Sequence, residues 1–213
     1  MIAGMLAEAG VWFGDNLRVN AKLAARGLYE DNTLHRLNRQ IAFHLDTESS
    51  LHVETRRYKP LPLVDVLGEY QEYVQELSAG RELWGVKDPL LVTSWPEARR
   101  FYDNARIVAV HRARAAIVAS FHKASGRGLL VTERMVTHLL AHFYHILDTE
   151  PAPVYHVDYG RVIADPAGQA RDLLAWCQAG TDVVLDQGAA VAFVDPGLRT
   201  FDSNGAVLSG GAR

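Results

Sequence analysis

An arginine that ends an apolar run, with a hydroxyl eight residues further on, is the pattern in this chain with the clearest chemical meaning. The run is Arg106-Ile107-Val108-Ala109-Val110-His111-Arg112, and Ser120 follows in a helix-forming segment. A guanidinium fork can grip phosphate oxygens through two charge-assisted hydrogen bonds while a hydroxyl donates a third. The plain alternative is a surface arginine and a helical serine. A second apolar run ends in Lys87-Asp88-Pro89, which puts a cation and a carboxylate side by side. Glu30 and Asp31 precede a helical pattern, where an acidic pair is more often a cap than a catalyst. His138, His142 and His145 stand at i, i+4 and i+7, near one helix face, and could offer imidazoles to a metal. No Glu lies between the first two, and Leu139, Leu140, Phe143 and Ile146 make the segment an ordinary amphipathic or buried helix, so no metal is expected.

These groups need a scaffold, and the periodicities supply one. Residues 83–86, 106–111 and 153–157 are short apolar runs with β-branched residues and no helical period, and helix-forming segments follow them. Helical spacing marks residues 2–9, 31–46, 61–77, 132–147 and about 167–177, with Asp31 or Asn32 as a cap and Pro62 tolerated in a first turn. Val11-Trp12-Phe13 reads as extended. Alternation of this kind predicts an α/β fold of parallel strands with crossover helices. Past Gly188 the pattern weakens, and residues from about 203 to 213 read as a loose tail.

The chain has 213 residues, 48% of them apolar and 22% charged, which suits a single domain spanning 1–213. A net charge of -3 argues against broad phosphate neutralisation, so no nucleic-acid partner is expected. Cys177 is the one cysteine, which excludes an intramolecular disulfide and a thiolate metal cluster and fits a cytoplasmic setting. No apolar run is long enough for a membrane span.

Taken in order, the motifs resemble those of the sulfotransferase family over nearly the whole chain. Ala3-Gly4-Met5-Leu6 through Gly10-Val11 is similar to the helix after the family's first phosphate loop. Gly27-Leu28-Tyr29-Glu30-Asp31 resembles a Gly-aromatic-Glu-Asp stretch of bacterial members, and Trp84-Gly85-Val86-Lys87-Asp88-Pro89 a strand ending in Lys-Asp-Pro. His156-Val157-Asp158-Tyr159 with Asp165-Pro166, and Phe193-Val194-Asp195-Pro196-Gly197-Leu198-Arg199, resemble later segments. Ala113 and Arg114 replace the residues that usually follow the family's Arg, and Gly160 and Arg161 replace an acidic pair.

The resemblance implies a three-layer parallel sheet flanked by helices, P-loop NTPase-like, and transfer of a sulfuryl group from 3'-phosphoadenosine-5'-phosphosulfate to an alcohol or sugar hydroxyl. Arg112 and Ser120 would hold the donor's 3'-phosphate. Lys87 would stabilise charge on the leaving phosphate, and Asp88 is the nearest carboxylate able to serve as a base, since no His follows Lys87. The acceptor would be a small molecule or a carbohydrate. The family's opening strand and its Gly/Ser/Thr-rich 5'-phosphosulfate loop would precede Met1, so the chain reads as N-terminally truncated and its activity in this form as doubtful. Two rival readings remain: a non-catalytic nucleotide-binding or scaffold relative, and a nucleotide kinase relative.

Overall fold

The computed structural model describes residues 1–19, 27–45 and 61–195. Residues 196–199 of the last motif and the expected tail lie outside them.

Helices form where apolar side chains recur every third or fourth residue. In α2 (Asn32–Leu45) Leu34, Leu37 and Ile41 turn inward, and α3 (Leu63–Ser78) meets them with Val66, Tyr70, Val74 and Leu77. With α4 (Leu91–Ala98), a 3-10 turn at Arg99–Phe101 and Tyr102, these build one core. Leu37 and Ile41 are fully buried, each burial contributing about 1.5–3 kcal/mol. The helix begins where sequence places it, because Asp31 Oδ1 accepts the N–H groups of Thr33 and Leu34 at 2.8 and 2.9 Å.

A second core gathers α1 (Ile2–Glu8), α8 (Pro166–Gln178) and α9 (Gln187–Phe193). The sheet packs into this second core through Val108, Tyr155 and Val157. β1 (Ile107–His111) pairs in parallel with β2 (Val154–Asp158), from Ile107↔Val154 to His111↔Asp158. Parallel strands need a crossover, and α5 (Arg114–Ser125) and α6 (Leu129–Thr149) provide it. After β2 the chain enters α7 (Tyr159–Ala164), capped by Asp158, which accepts from Arg161 N. Arg106 anchors the start of β1 by donating to Trp176 O at 2.8 Å and Ala179 O at 2.5 Å, carbonyls left open at the end of α8.

Among the described residues the sheet therefore has two strands, in a mixed α/β arrangement rich in helices. The strand expected at 83–86 is reduced to one parallel bridge, Trp12↔Trp84. Gly85 shows why: its N–H donates to Trp12 O at 2.8 Å, and a Cβ there would stand 2.8 Å from Cε1 of Phe13. The Phe13 ring occupies the space beside the backbone, a role only glycine allows. A further departure is α9, which sequence periodicity did not mark. Its start is set by Asp186, accepting from Ala189 N, just as Asp165 caps α8 by accepting from Gly168 N.

Glu150, just past α6, ties that helix to α4. Its carboxylate accepts from Trp95 Nε1 at 2.7 Å, Arg99 Nε at 2.8 Å and Ala152 N at 3.0 Å. Burial alone would raise its pKa, but hydrogen bonds from Arg99, Trp95 and Ala152 outweigh burial and hold it below the ordinary value. A depressed carboxyl contributes stability in full above the unfolded value, about 4.3, and loses it as pH falls through the lower folded value. We expect Glu150→Gln to cost about 1–3 kcal/mol at pH 7 and to flatten the fall in stability below about pH 4, as read from urea melts across pH.

Candidate functional site

Two positively charged positions end extended segments, and each is built differently. Lys87 follows the Trp84 bridge, where the chain leaves the second core and turns toward α4. Its ammonium pairs with Glu30. An antiparallel bridge, Leu17↔Asp31, brings Arg18 alongside, and Arg18 Nη1 donates to the other oxygen of Glu30 at 2.5 Å. Glu30 thus gathers two cations while its own side chain is 4% exposed; Lys87, at 40%, still reaches solvent. Tyr29, one residue earlier, has φ 54, a left-handed conformation that costs a non-glycine residue about 1–2 kcal/mol. The Met1 amino group lies close enough to Lys87 that burial first, and Lys87 second, lower its pKa.

Asp88 is enclosed. Its side chain is 1% exposed, and it accepts from Leu90 N at 2.8 Å, from Asn38 Nδ2 at 3.2 Å and, at Oδ2, from His35 Nδ1 at 3.1 Å. Asn38, fully buried, accepts in turn from Ser94 Oγ at 2.7 Å and Tyr70 Oη at 3.1 Å, and Tyr70 and Tyr102 hydroxyls lie 2.7 Å apart. Burial, with the neighbouring Tyr102, pushes the Tyr70 phenol above its ordinary value, so this network stays protonated and fixed.

Arg112 directly follows β1. The strand register places His111 opposite Asp158, so Arg112 comes beside Tyr159, and its guanidinium carbon lies 4.6 Å from that ring's centroid. Such a cation–π contact orients a guanidinium over the ring. Ser120 lies half-buried in the second turn of α5. The structure thus puts Arg112 and Ser120 on one strand–helix unit, and Lys87 and Asp88 on the segment before α4. It ties Lys87 to Glu30, Asp88 to His35 and Asn38, and Arg112 to Tyr159.

Sequence reading did not assign Arg18, His35, Asn38 or Tyr159. The parallel register of two apolar runs would have brought 159 next to 112; the others depend on long-range contacts that no local pattern marks. Burial pushes the Cys177 thiol up to about 11 against the opposing pull of Arg106, which disfavours the thiolate. Among the described residues no group of three or more His, Cys, Asp or Glu is arranged to hold a metal, and no helix is long and apolar enough to cross a membrane.

A sulfotransferase family model matches residues 13–182, a span that takes in Lys87, Asp88, Arg112 and Ser120. The chain belongs to the sulfotransferase family. Among curated proteins and solved structures, none matches it significantly. Ligand contacts in open parallel α/β folds gather at the carboxyl ends of strands; here β1 is followed by Arg112 and the Trp84 segment by Lys87.

Proposed function

We propose that this sulfotransferase-family chain takes 3'-phosphoadenosine-5'-phosphosulfate as donor and an alcohol or sugar hydroxyl, on a small molecule or carbohydrate, as acceptor, within a P-loop-like parallel fold of the cytoplasm. The acceptor oxygen forms a bond to sulfur as the bond from sulfur to the leaving phosphate breaks, and the hydroxyl proton passes to a base. Arg112 and Ser120 hold the 3'-phosphate. Lys87 meets charge growing on the leaving phosphate. Asp88, sealed from solvent, acts by holding His35 through Nδ1, and the partly open imidazole exchanges the proton.

One observation carries the reading: a guanidinium at the carboxyl end of β1, braced on Tyr159 and followed by the helix that bears Ser120. The engagement of Lys87 by Glu30 favours a second reading, a relative that binds nucleotide without transfer. Binding is the property to test, because both readings require it. Calorimetry with adenosine 3',5'-bisphosphate should show binding by the wild type that Arg112→Ala weakens. Equal affinity in the two proteins, or none in either, would overturn the assignment.

A further inference from the structure

Two pairs of histidine rings touch in this molecule, and they touch differently. At the carboxyl end of the sheet, His111 Nε2 and His156 Nδ1 are 2.8 Å apart with ring centroids 5.1 Å apart. An imidazole nitrogen lies about 1.15 Å from its ring centre, so rings meeting end to end at that separation would have centroids about 5.1 Å apart. The sheet pair is therefore an end-to-end hydrogen bond, with its lone pair already directed at a proton.

On α6, His138 Nε2 and His142 Nε2 are 3.1 Å apart, yet their centroids are only 4.6 Å apart and the planes cross at 75°. End-to-end rings at that nitrogen distance would have centroids about 5.4 Å apart, so these two hydrogen-bonded rings meet at an angle, an arrangement compatible with two nitrogens sharing one metal. A metal about 2.0–2.1 Å from each nitrogen would subtend about 95–102°, and its rings would have centroids about 4.8 Å apart. That angle lies between the square and tetrahedral values that imidazole-bound divalent metals adopt. The i, i+4 spacing supplies the convergence, since it stacks the two side chains over one helical turn.

We propose that His138 and His142 form a bidentate site for a divalent transition metal of the zinc, nickel or copper class. The site is reachable: His138 lines an open groove of about 480 Å³ together with Arg114, Glu133, Arg134 and Thr137. Two imidazoles leave coordination positions open, and the guanidiniums of Arg114 and Arg134 in the same groove favour an anion, carboxylate or phosphate, in them. Arg114 is held in place by donating to Thr137 Oγ1 at 2.8 Å. The site is independent of the proposed nucleotide contacts at Arg112 and Ser120.

The test is calorimetric titration of Zn²⁺ alone into the tag-free chain. One equivalent should bind, and His138→Asn or His142→Asn should weaken it by at least about tenfold, the lower bound seen when even an outer partner of a metal site is lost. His111→Asn, His156→Asn and His145→Asn should leave the affinity within about twofold. Helical circular dichroism without metal confirms that each variant folds, and an unfolded one is replaced by its Gln counterpart. Absence of saturable Zn²⁺ binding in the wild type overturns the proposal. So does wild-type affinity in both α6 variants, or an equal loss in His111→Asn.

Discussion

Asn38→Ala is expected to destabilise the chain by about 3–5 kcal/mol, read as a lowered urea midpoint with an unchanged slope. The side chain is fully buried and makes contacts in three directions: it accepts from Ser94 and Tyr70 and donates to Asp88. Alanine leaves two buried hydroxyls without their acceptor and takes one donor from a carboxylate that is 1% exposed. Each orphaned group costs about 1–3 kcal/mol, more where charge is involved, and no solvent can enter to compensate. Tyr70→Phe removes one hydroxyl but leaves Asn38 its bond from Ser94, so a smaller loss, about 1–2 kcal/mol, should follow. Similar losses in the two variants would mean that the bonds of Asn38 to Ser94 and Asp88 add nothing to its bond from Tyr70.

Arg112→Ala should lower affinity for adenosine 3',5'-bisphosphate by about 100- to 1000-fold, the equivalent of two charge-assisted hydrogen bonds. Arg112→Lys separates charge from geometry. An ammonium keeps the charge but loses both the fork and the flat surface that lies over Tyr159, so a loss of about tenfold or more should remain. Ser120→Ala removes one neutral donor and should cost about tenfold. Thermal unfolding should hardly move in any of the three, because Arg112 is at a strand end and Ser120 is half-buried. If the Arg112→Lys variant bound the nucleotide as tightly as the wild type, a general positive potential would suffice and the fork would have no special role.

Much of the scaffold was legible because its signals are local. Leu34, Leu37 and Ile41 report α2 by spacing alone, and the run Ile107 to His111 reports β1 by composition. The parallel pairing of β1 with β2 followed from the helices between them. The segment at 83–86 misled because apolar, β-branched composition signals burial as much as pairing; Gly85 admits the Phe13 ring, and only Trp84 bridges. α9 was missed because its signal is an Asp cap followed by small residues, too short for periodicity to register. At the site, residue types could be read but their partners could not. Nothing near position 87 announces that Glu30, 57 residues earlier, will hold that lysine.

The extended pair around the Trp12↔Trp84 bridge stands between the two cores. Val11, Phe13 and Leu83 face one of them, while Trp12, Trp84 and Val86 face the other. This pair of segments is a party wall, a shared partition whose two sides alternate residue by residue. A change that shifts it disturbs both rooms at once, and Lys87 and Asp88 sit at its end. Any ligand gripped there would be braced by both halves of the molecule and would tighten them together.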